Sequence, residues 1–260
     1  MPEFDNNVPH IARVYDYWLG GKDNFEVDRE LGEKTIEAYP NIVFTVRTNR
    51  AFLARSVTYL ARDAGVRQFL DIGTGIPTAN NTHEVAQRLA PESRIVYADN
   101  DPVVLTHAQA LLRSTPEGAC AYLDADLREP GQILAAAAET LDFSKPVGVM
   151  LIAVMQFIAD DDDARAITGQ LLAGCAPGSF LTMTHPARDV DAGQVSEMVR
   201  RLNESVAEKV TTRDHDGVVR LFDGLELVPP GVVRAPQWRP ESELAEASPA
   251  ALWAGVGRKP

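Results

Sequence analysis

From residue 67 onward, short runs of β-branched and large apolar residues alternate with Ala/Leu/Gln-rich stretches whose apolar positions recur at helical spacing. That alternation predicts βαβ units wrapped around a mostly parallel sheet. The predicted strands are 68–72, 94–98, 119–123, 147–153 and 179–184, followed by a terminal pair at 225–228 and 251–256. Predicted helices fill the gaps. Residues 82–89 carry Val85, Ala86 and Leu89 on one face, and 102–112 starts with Asp101 as N-cap and Pro102 in the first helical position. Residues 131–140 are alanine-rich, 160–172 opens on four aspartates that suit a helix N-terminus, and 191–202 is amphipathic. The first 64 residues have a different texture, helical with no convincing strand. Two units are expected: a helical extension or lid over 1–64 and an α/β domain over 65–260.

Composition narrows the picture. The chain has 260 residues, 45% of them hydrophobic, enough for a substantial core. Two cysteines, Cys120 and Cys175, form no disulfide framework; they fit a reducing compartment and are expected to be buried as small apolar residues. The 25 basic and 37 acidic residues leave a net charge of −12, which disfavours nucleic acid and anionic lipid as partners. The start, Met1-Pro2-Glu3-Phe4-Asp5, lacks the features of a signal peptide, and the longest apolar stretch, 146–159, is too short to span a bilayer. A cytoplasmic protein without a membrane partner is expected. Oligomeric state is not legible.

The strongest chemical signal is Phe69-Leu70-Asp71-Ile72-Gly73-Thr74-Gly75-Ile76-Pro77-Thr78, a strand running into a glycine turn and then a helix. Gly73 and Gly75 allow a sharp turn and close approach of a ligand to the backbone, with Thr74 between them. A dinucleotide-binding turn wants a third glycine where this chain has Thr78, and Asp71 immediately before the turn would repel a pyrophosphate. A carboxylate there suits a ligand carrying an ammonium and a sulfonium and no phosphate, which is the chemistry of S-adenosylmethionine. A plain structural βα turn is the bland alternative.

Further signals sit at the ends of the next strands. Asp99 ends the second strand in Tyr97-Ala98-Asp99-Asn100-Asp101, placed to accept hydrogen bonds from ribose hydroxyls, with Asn100 beside it. After the third strand, Asp124-Ala125-Asp126-Leu127 offers a carboxylate for an adenine amino group; alternation favours Asp126, with Leu127 on the adenine edge, and an ordinary loop charge is an equal alternative. The fourth strand ends at Ala153, where the reacting methyl of such a ligand would lie, and Gln156 beyond it is a candidate contact to ligand or substrate or a satisfied edge residue. His185 ends the fifth strand near the same edge, and His83 lies just inside the helix after the glycine turn, where packing is the plainer reading. No nucleophile elbow, P-loop or metal-ligand spacing is visible, so the metal expectation is none.

These elements, in this order, resemble class I Rossmann-like S-adenosylmethionine methyltransferases. The blocks Ala12-Arg13-Val14-Tyr15-Asp16-Tyr17-Trp18-Leu19-Gly20-Gly21-Lys22-Asp23-Asn24-Phe25 and Arg47-Thr48-Asn49-Arg50-Ala51-Phe52-Leu53, with Gln68 to Thr78, 83–87, 97–104 and the ending 255–260, are similar to an actinobacterial family of S-adenosyl methyltransferases formerly called DUF574. The resemblance covers nearly the whole chain. It implies a seven-stranded sheet with an antiparallel last strand, helices packed over the cofactor site, and S-adenosylmethionine as cofactor. It supplies no acceptor. Similar proteins tend to carry Leu-His where this chain has Met155-Gln156, so no histidine is available there.

Within the N-terminal block, Tyr17 is a candidate cover for the cofactor, Asn24 a candidate hydrogen-bond partner, and Arg47 the candidate for pairing with the cofactor carboxylate. Helix packing and surface ion pairing are the alternatives. The acceptor pocket is expected from residues 1–64 and 186–240. The reading is methyl transfer to a small molecule, with no catalytic residue assigned. The alternatives are a non-catalytic S-adenosylmethionine-binding sensor or interaction protein and, disfavoured by Thr78 and Asp71, a nicotinamide-dependent oxidoreductase.

Overall fold

A computed structural model describes residues 7–102, 104, 106 and 113–260. The helix expected over 102–112 lies for the most part outside the described residues. The N-terminal third is helical: α1 (Ile11–Leu19), α2 (Glu26–Ala38) and α3 (Ile42–Thr58), the last running into a π-helical turn, Tyr59–Asp63. Then come β1 (Gln68–Ile72), α4 (Thr82–Leu89), β2 (Arg94–Asp99), β3 (Ala119–Asp124), α5 (Pro130–Ala137), β4 (Gly148–Ile152), α6 (Asp161–Ala173), β5 (Phe180–Pro186) and α7 (Ala192–Ser205). Two-residue strands β6 (Glu226–Leu227) and β7 (Val233–Arg234) precede β8 (Leu252–Arg258).

The sheet has eight strands in the order β3-β2-β1-β4-β5-β8-β6, with β7 also on β8. The first five pair in parallel, and β8 runs antiparallel to β5 along its whole length. With one edge of β8 taken by β5, both β6 and β7 occupy its other edge, at Leu227↔Gly257 and Val233↔Ala254. The eight strands therefore fill seven positions across the sheet. β7 has no counterpart in the sequence reading, because two residues between prolines give no periodicity to detect.

Strand alternation divides the core. Leu70, Ile72, Val96, Ala98, Val149, Leu151, Leu181 and Met183 pack on one face with α5 and α6. Phe69, Ile95, Tyr97, Met150, Ile152 and Phe180 face the other way, onto Phe52, Leu53, Val57 and Leu60 of α3 and its π turn and onto Trp238. β1 and β4 are buried along their whole length, as central strands covered on both faces must be. A third cluster joins Val14, Trp18 and Leu31 of α1 and α2 to Val195, Met198 and Leu202 of α7. Residues 192–205, expected near the acceptor, thus spend their apolar face on supporting the N-terminal helices.

α1 ends at the pair Gly20-Gly21. Gly20 adopts φ +84, and the N–H groups of Gly20 and Gly21 return to the carbonyls of Tyr17 and Asp16. Arg13 and Asp28 then lock α1 to the start of α2 through a buried ion pair of 2.8 Å, with side chains 4% and 0% exposed. Asp28 also accepts from the backbone N–H groups of His10 and Phe25, both at 2.9 Å. Cys175 is buried, whereas Cys120 is half-buried at the edge strand β3. Among the described residues no helix is long and apolar enough to cross a membrane.

Candidate functional site

Strand order reverses between β1 and β4, and the carboxyl ends of strands flanking such a point diverge and leave a crevice. A cavity of about 310 Å³ opens there, roofed by His10, Tyr15 and Asp16 of the α1 segment and by Asn49, Arg50 and Leu53 of α3. Of the residues singled out in the sequence, Asp71, Gly73, Thr74, Gly75, Asp99, Asn100, Asp126, Leu127 and Ala153 all line it.

The glycine turn is fixed by what surrounds it. Gly73 has φ +72, and a Cβ there would lie 2.1 Å from Cγ2 of Val154, so the turn packs directly on the chain leaving β4. Gly75 also has a positive φ, +63, but a Cβ would meet nothing within 4 Å. Its role is conformation and access, since it lines the cavity. Gly75 N–H donates to Oδ2 of Asp99 at 3.0 Å, and Asp101 N–H donates to Oδ1 at 3.0 Å. The carboxylate ending β2 therefore holds the turn after β1 while keeping further lone pairs at the cavity.

Asp71 is the most perturbed acid of the site. It is buried at the end of β1, accepts a 2.6 Å hydrogen bond from Thr82 Oγ1, and burial pushes its carboxyl up to about 6, against the smaller opposing pull of that bond and of Arg50. Burial also raises Asp99, with the two backbone donors opposing it. Dry carboxylates in a cavity favour a cationic ligand group that restores their charge. Asp126 is more open: it accepts from Arg128 N–H at 2.8 Å and from Asn100 Nδ2 at 3.2 Å. Asp124, the alternative weighed beside it, is exposed and does not line the cavity.

At the end of β4 the backbone is strained. Ala153 has φ +55, a conformation costly for a residue with a Cβ and concentrated at functional sites. A relay of hydrogen bonds holds it: Ala153 N–H donates to Thr184 Oγ1 (2.9 Å), Thr184 Oγ1 donates to Asn49 Oδ1 (2.8 Å), and Asn49 Nδ2 donates to Tyr15 Oη (2.9 Å). The relay couples β4, β5, α3 and α1 at one point. Asn49 and Tyr15 were missed as site residues because nothing local marks them; only their distant partners do.

Three expected residues lie outside the lining. Tyr17 is half-exposed, with its hydroxyl bonded to Glu33 of α2. Asn24 donates to Asp16 Oδ2 at 2.9 Å and so supports the cavity through a lining residue. Arg47 is exposed and does not line the cavity. Arg50 takes the inward place. Its Nη2 donates to the carbonyls of Ala79 and Asn80, both at 3.1 Å, pinning the far end of the glycine loop.

Both histidines weighed in the sequence are structural. His83 is buried, and its backbone N–H and Nδ1 both meet Tyr97 Oη at 2.8 Å. His185 is fully buried off the cavity, and desolvation lowers it to about 3. Arg213 Nη1 lies 2.7 Å from His185 Nε2, so a neutral ring accepting there keeps its proton on Nδ1, 3.1 Å from Pro186 O. Arg213 itself, missed in the sequence, bonds the carbonyls of Met155 and Ile158 and the carboxylate of Asp161, fixing the segment after β4. From 186–240, only Glu208 among the described residues reaches the cavity.

The cavity also gathers polar atoms that the protein leaves unsatisfied. Arg50 Nε, Thr78 Oγ1 and Gln156 Oε1 are buried without a hydrogen-bond partner, and all three residues line it. Such atoms are costly unless a ligand completes them. The lining offers groups that would hold S-adenosylmethionine: Asp71 would take its ammonium, Arg50 its carboxylate, Asp99 the ribose hydroxyls, and Asp126 with Leu127 the adenine.

A parallel sheet with an antiparallel last strand, and a carboxylate-lined cavity at its switch point, define a Rossmann-like methyltransferase using S-adenosylmethionine. The chain belongs to the S-adenosyl methyltransferase family, whose model matches residues 1–260. A DUF574 family protein from Streptomyces avermitilis is 42% identical, with a TM-score of 0.94 over 98% of this chain and 99% of that one. A candidate methyltransferase from Thermobifida fusca is 39% identical, with a TM-score of 0.90 over 99% and 97%. Human N-acetylserotonin methyltransferase, solved with S-adenosylmethionine, shares the fold at 15% identity and a TM-score of 0.51, over 98% of this chain and 63% of that one. No curated protein matches the chain.

Proposed function

We propose that this enzyme methylates a small-molecule acceptor held between the end of β4 and the roof formed by α1 and α3. The observation that carries this reading is the roof itself: the α1 segment and α3 cover the crevice at the end of β4, so an acceptor has to fit beneath them. The acidic surface supports it, since a net charge of −12 opposes a polyanionic acceptor.

When bound, the cofactor supplies an electrophilic methyl on a good sulfur leaving group. The protein's residues then have to align, dehydrate and hold. Asp71 and Arg50 fix the amino-acid end, Asp99 and Asn100 the ribose, and Asp126 and Leu127 the adenine edge. The Ala153–Thr184–Asn49–Tyr15 relay holds the end of β4 against the roof.

Calorimetric titration with S-adenosylhomocysteine tests the cofactor half. Wild type binds, and Asp99→Ala weakens binding by about tenfold or more, the worth of a hydrogen bond to a charged group. Transfer of labelled methyl from S-adenosylmethionine into the low-molecular-weight fraction of a cell extract tests the acceptor class. Label recovered only in protein or nucleic acid would overturn the small-molecule reading.

A further inference from the structure

We propose that Gln156 orients the methyl acceptor, its Oε1 accepting a hydrogen bond from an N–H or O–H group on that molecule. The inference rests on the methyl-transfer reading and assigns to it a residue and an acceptor chemistry.

Gln156 lies in a single 3₁₀ turn, Met155–Phe157, just beyond the strained Ala153. The turn is clamped on its backbone. Thr211 N–H donates to Gln156 O at 2.8 Å, Arg213 Nη1 to Met155 O at 3.3 Å, and Arg213 Nη2 to Ile158 O at 2.9 Å. Buried His185 fixes the guanidinium in turn, at 2.7 Å. That is heavy support for three residues with no regular structure around them, and it leaves the side chain of Gln156 on the cavity.

The amide oxygen there is buried and has no donor. Its neighbours along the chain that line the cavity, Val154, Phe157 and Ile158, are apolar and have no side-chain donor to offer. Fold stability alone would favour a hydrophobic residue at this place, because an unsatisfied buried carbonyl is destabilising. A rigidly supported, unsatisfied acceptor in a ligand cavity is what a binding group for a donor looks like before its ligand arrives. An amide cannot take the proton of the acceptor at neutral pH, so Gln156 is a binding and aligning residue and not a general base.

The test uses the full chain and its Gln156→Leu variant. Without ligand, the variant melts about 2 °C or more above wild type, because the orphan oxygen is gone; an unchanged or lower melting temperature would overturn the inference. S-adenosylhomocysteine binding by calorimetry stays within about twofold of wild type, and a loss of tenfold or more would move Gln156 to the cofactor and end the proposal. Wild type failing to bind that ligand would instead sink the cofactor reading itself. With S-adenosylhomocysteine saturating, ligand-observed NMR compares phenol with anisole, aniline with N,N-dimethylaniline, and imidazole with N-methylimidazole. Wild type prefers the hydrogen-bearing member of at least one pair by about fivefold, close to one hydrogen bond's worth, and the variant abolishes that preference. No preference in any pair, or one that survives in the variant, counts against the assignment.

Discussion

The wall of the cavity made by strand ends takes its polar groups from the carboxyl ends of β1 and β2 and from the turns that follow β1, β2 and β3. The wall made by helices takes isolated side chains from α1 and α3, one or two per turn. In the first wall the positioning groups are backbone N–H groups of the turns themselves: Asp99 is held by Gly75 and Asp101, and Asp126 by Arg128. In the second they are side chains on other elements. Asn49 acts through Thr184 and Tyr15, and α1 depends on Asp28 in the next helix. The strand-end wall is therefore robust as a local motif, whereas the helical wall exists only if the tertiary packing does.

The sharpest way to break the helical wall is Asp28→Ala. It strands the buried Arg13 guanidinium and frees two backbone N–H groups, and the expected cost is about 3–5 kcal/mol in denaturant unfolding. A cost below about 1 kcal/mol would mean that the pair is solvated in solution. The strand-end wall has its own pair of unequal positions. Gly73→Ala meets Val154 at 2.1 Å and a φ of +72, and costs about 3 kcal/mol or more. Gly75→Ala has a similar φ, +63, but open space, and costs about 1 kcal/mol. Equal melting temperatures for the two variants would refute the contact between the glycine turn and β4.

Acidity offers a third probe. Because the folded-state value of Asp71, about 6, lies above the ordinary 3.8, the folded chain holds this proton more tightly than the unfolded chain. The resulting stabilisation is complete below about pH 4 and is lost as pH rises through about 6, up to about 3 kcal/mol in the ligand-free protein. Asp99, raised by burial as well, has the same sign, so the difference between wild type and Asp71→Asn isolates the Asp71 contribution. Affinity for S-adenosylhomocysteine runs the other way and rises over that window as Asp71 ionises to meet the ammonium. A flat affinity between pH 5 and pH 7, on the order of the titration range, would remove Asp71 from the ammonium site. The smallest effect distinguishes two arginines on one helix. Arg50→Met weakens the same ligand about tenfold, and Arg47→Met changes it less than about twofold, since only Arg50 lines the cavity.

How much of this was legible depended on sequence distance. β1 and α4 have the bounds that their periodicity predicts, and the carboxylates at strand ends follow from strand–turn–helix grammar. Arg47 was preferred to Arg50 because the phase of α3 is not readable: its apolar residues run almost around the helix, with Ile42, Val46, Phe52, Leu53 and Val57 buried and Phe44 exposed. Tyr17 was preferred to Tyr15, whose bond to Asn49 exists only once α1 packs on α3. His185 looked exposed to ligand from its place at a strand end, but Arg213, distant in sequence, buries it. Within 186–240, which looked like pocket wall, α7 closes a cluster with α1 and α2, and Glu208 lines the cavity.

The sequence by itself determined the parallel sheet, the glycine turn, the cationic, phosphate-free character of its ligand and the family, because each is written in a contiguous run of residues whose backbone chemistry is local. Only the tertiary structure decided which arginine and which tyrosine face the cavity, that Ala153 is strained and braced through β5, α3 and α1, and that the side-chain oxygen of Gln156, a cavity residue, is left buried without a partner. Those outcomes turn on helix phase and on partners far apart in the chain, and side-chain burial and hydrogen bonding of that kind come into being only when the elements pack.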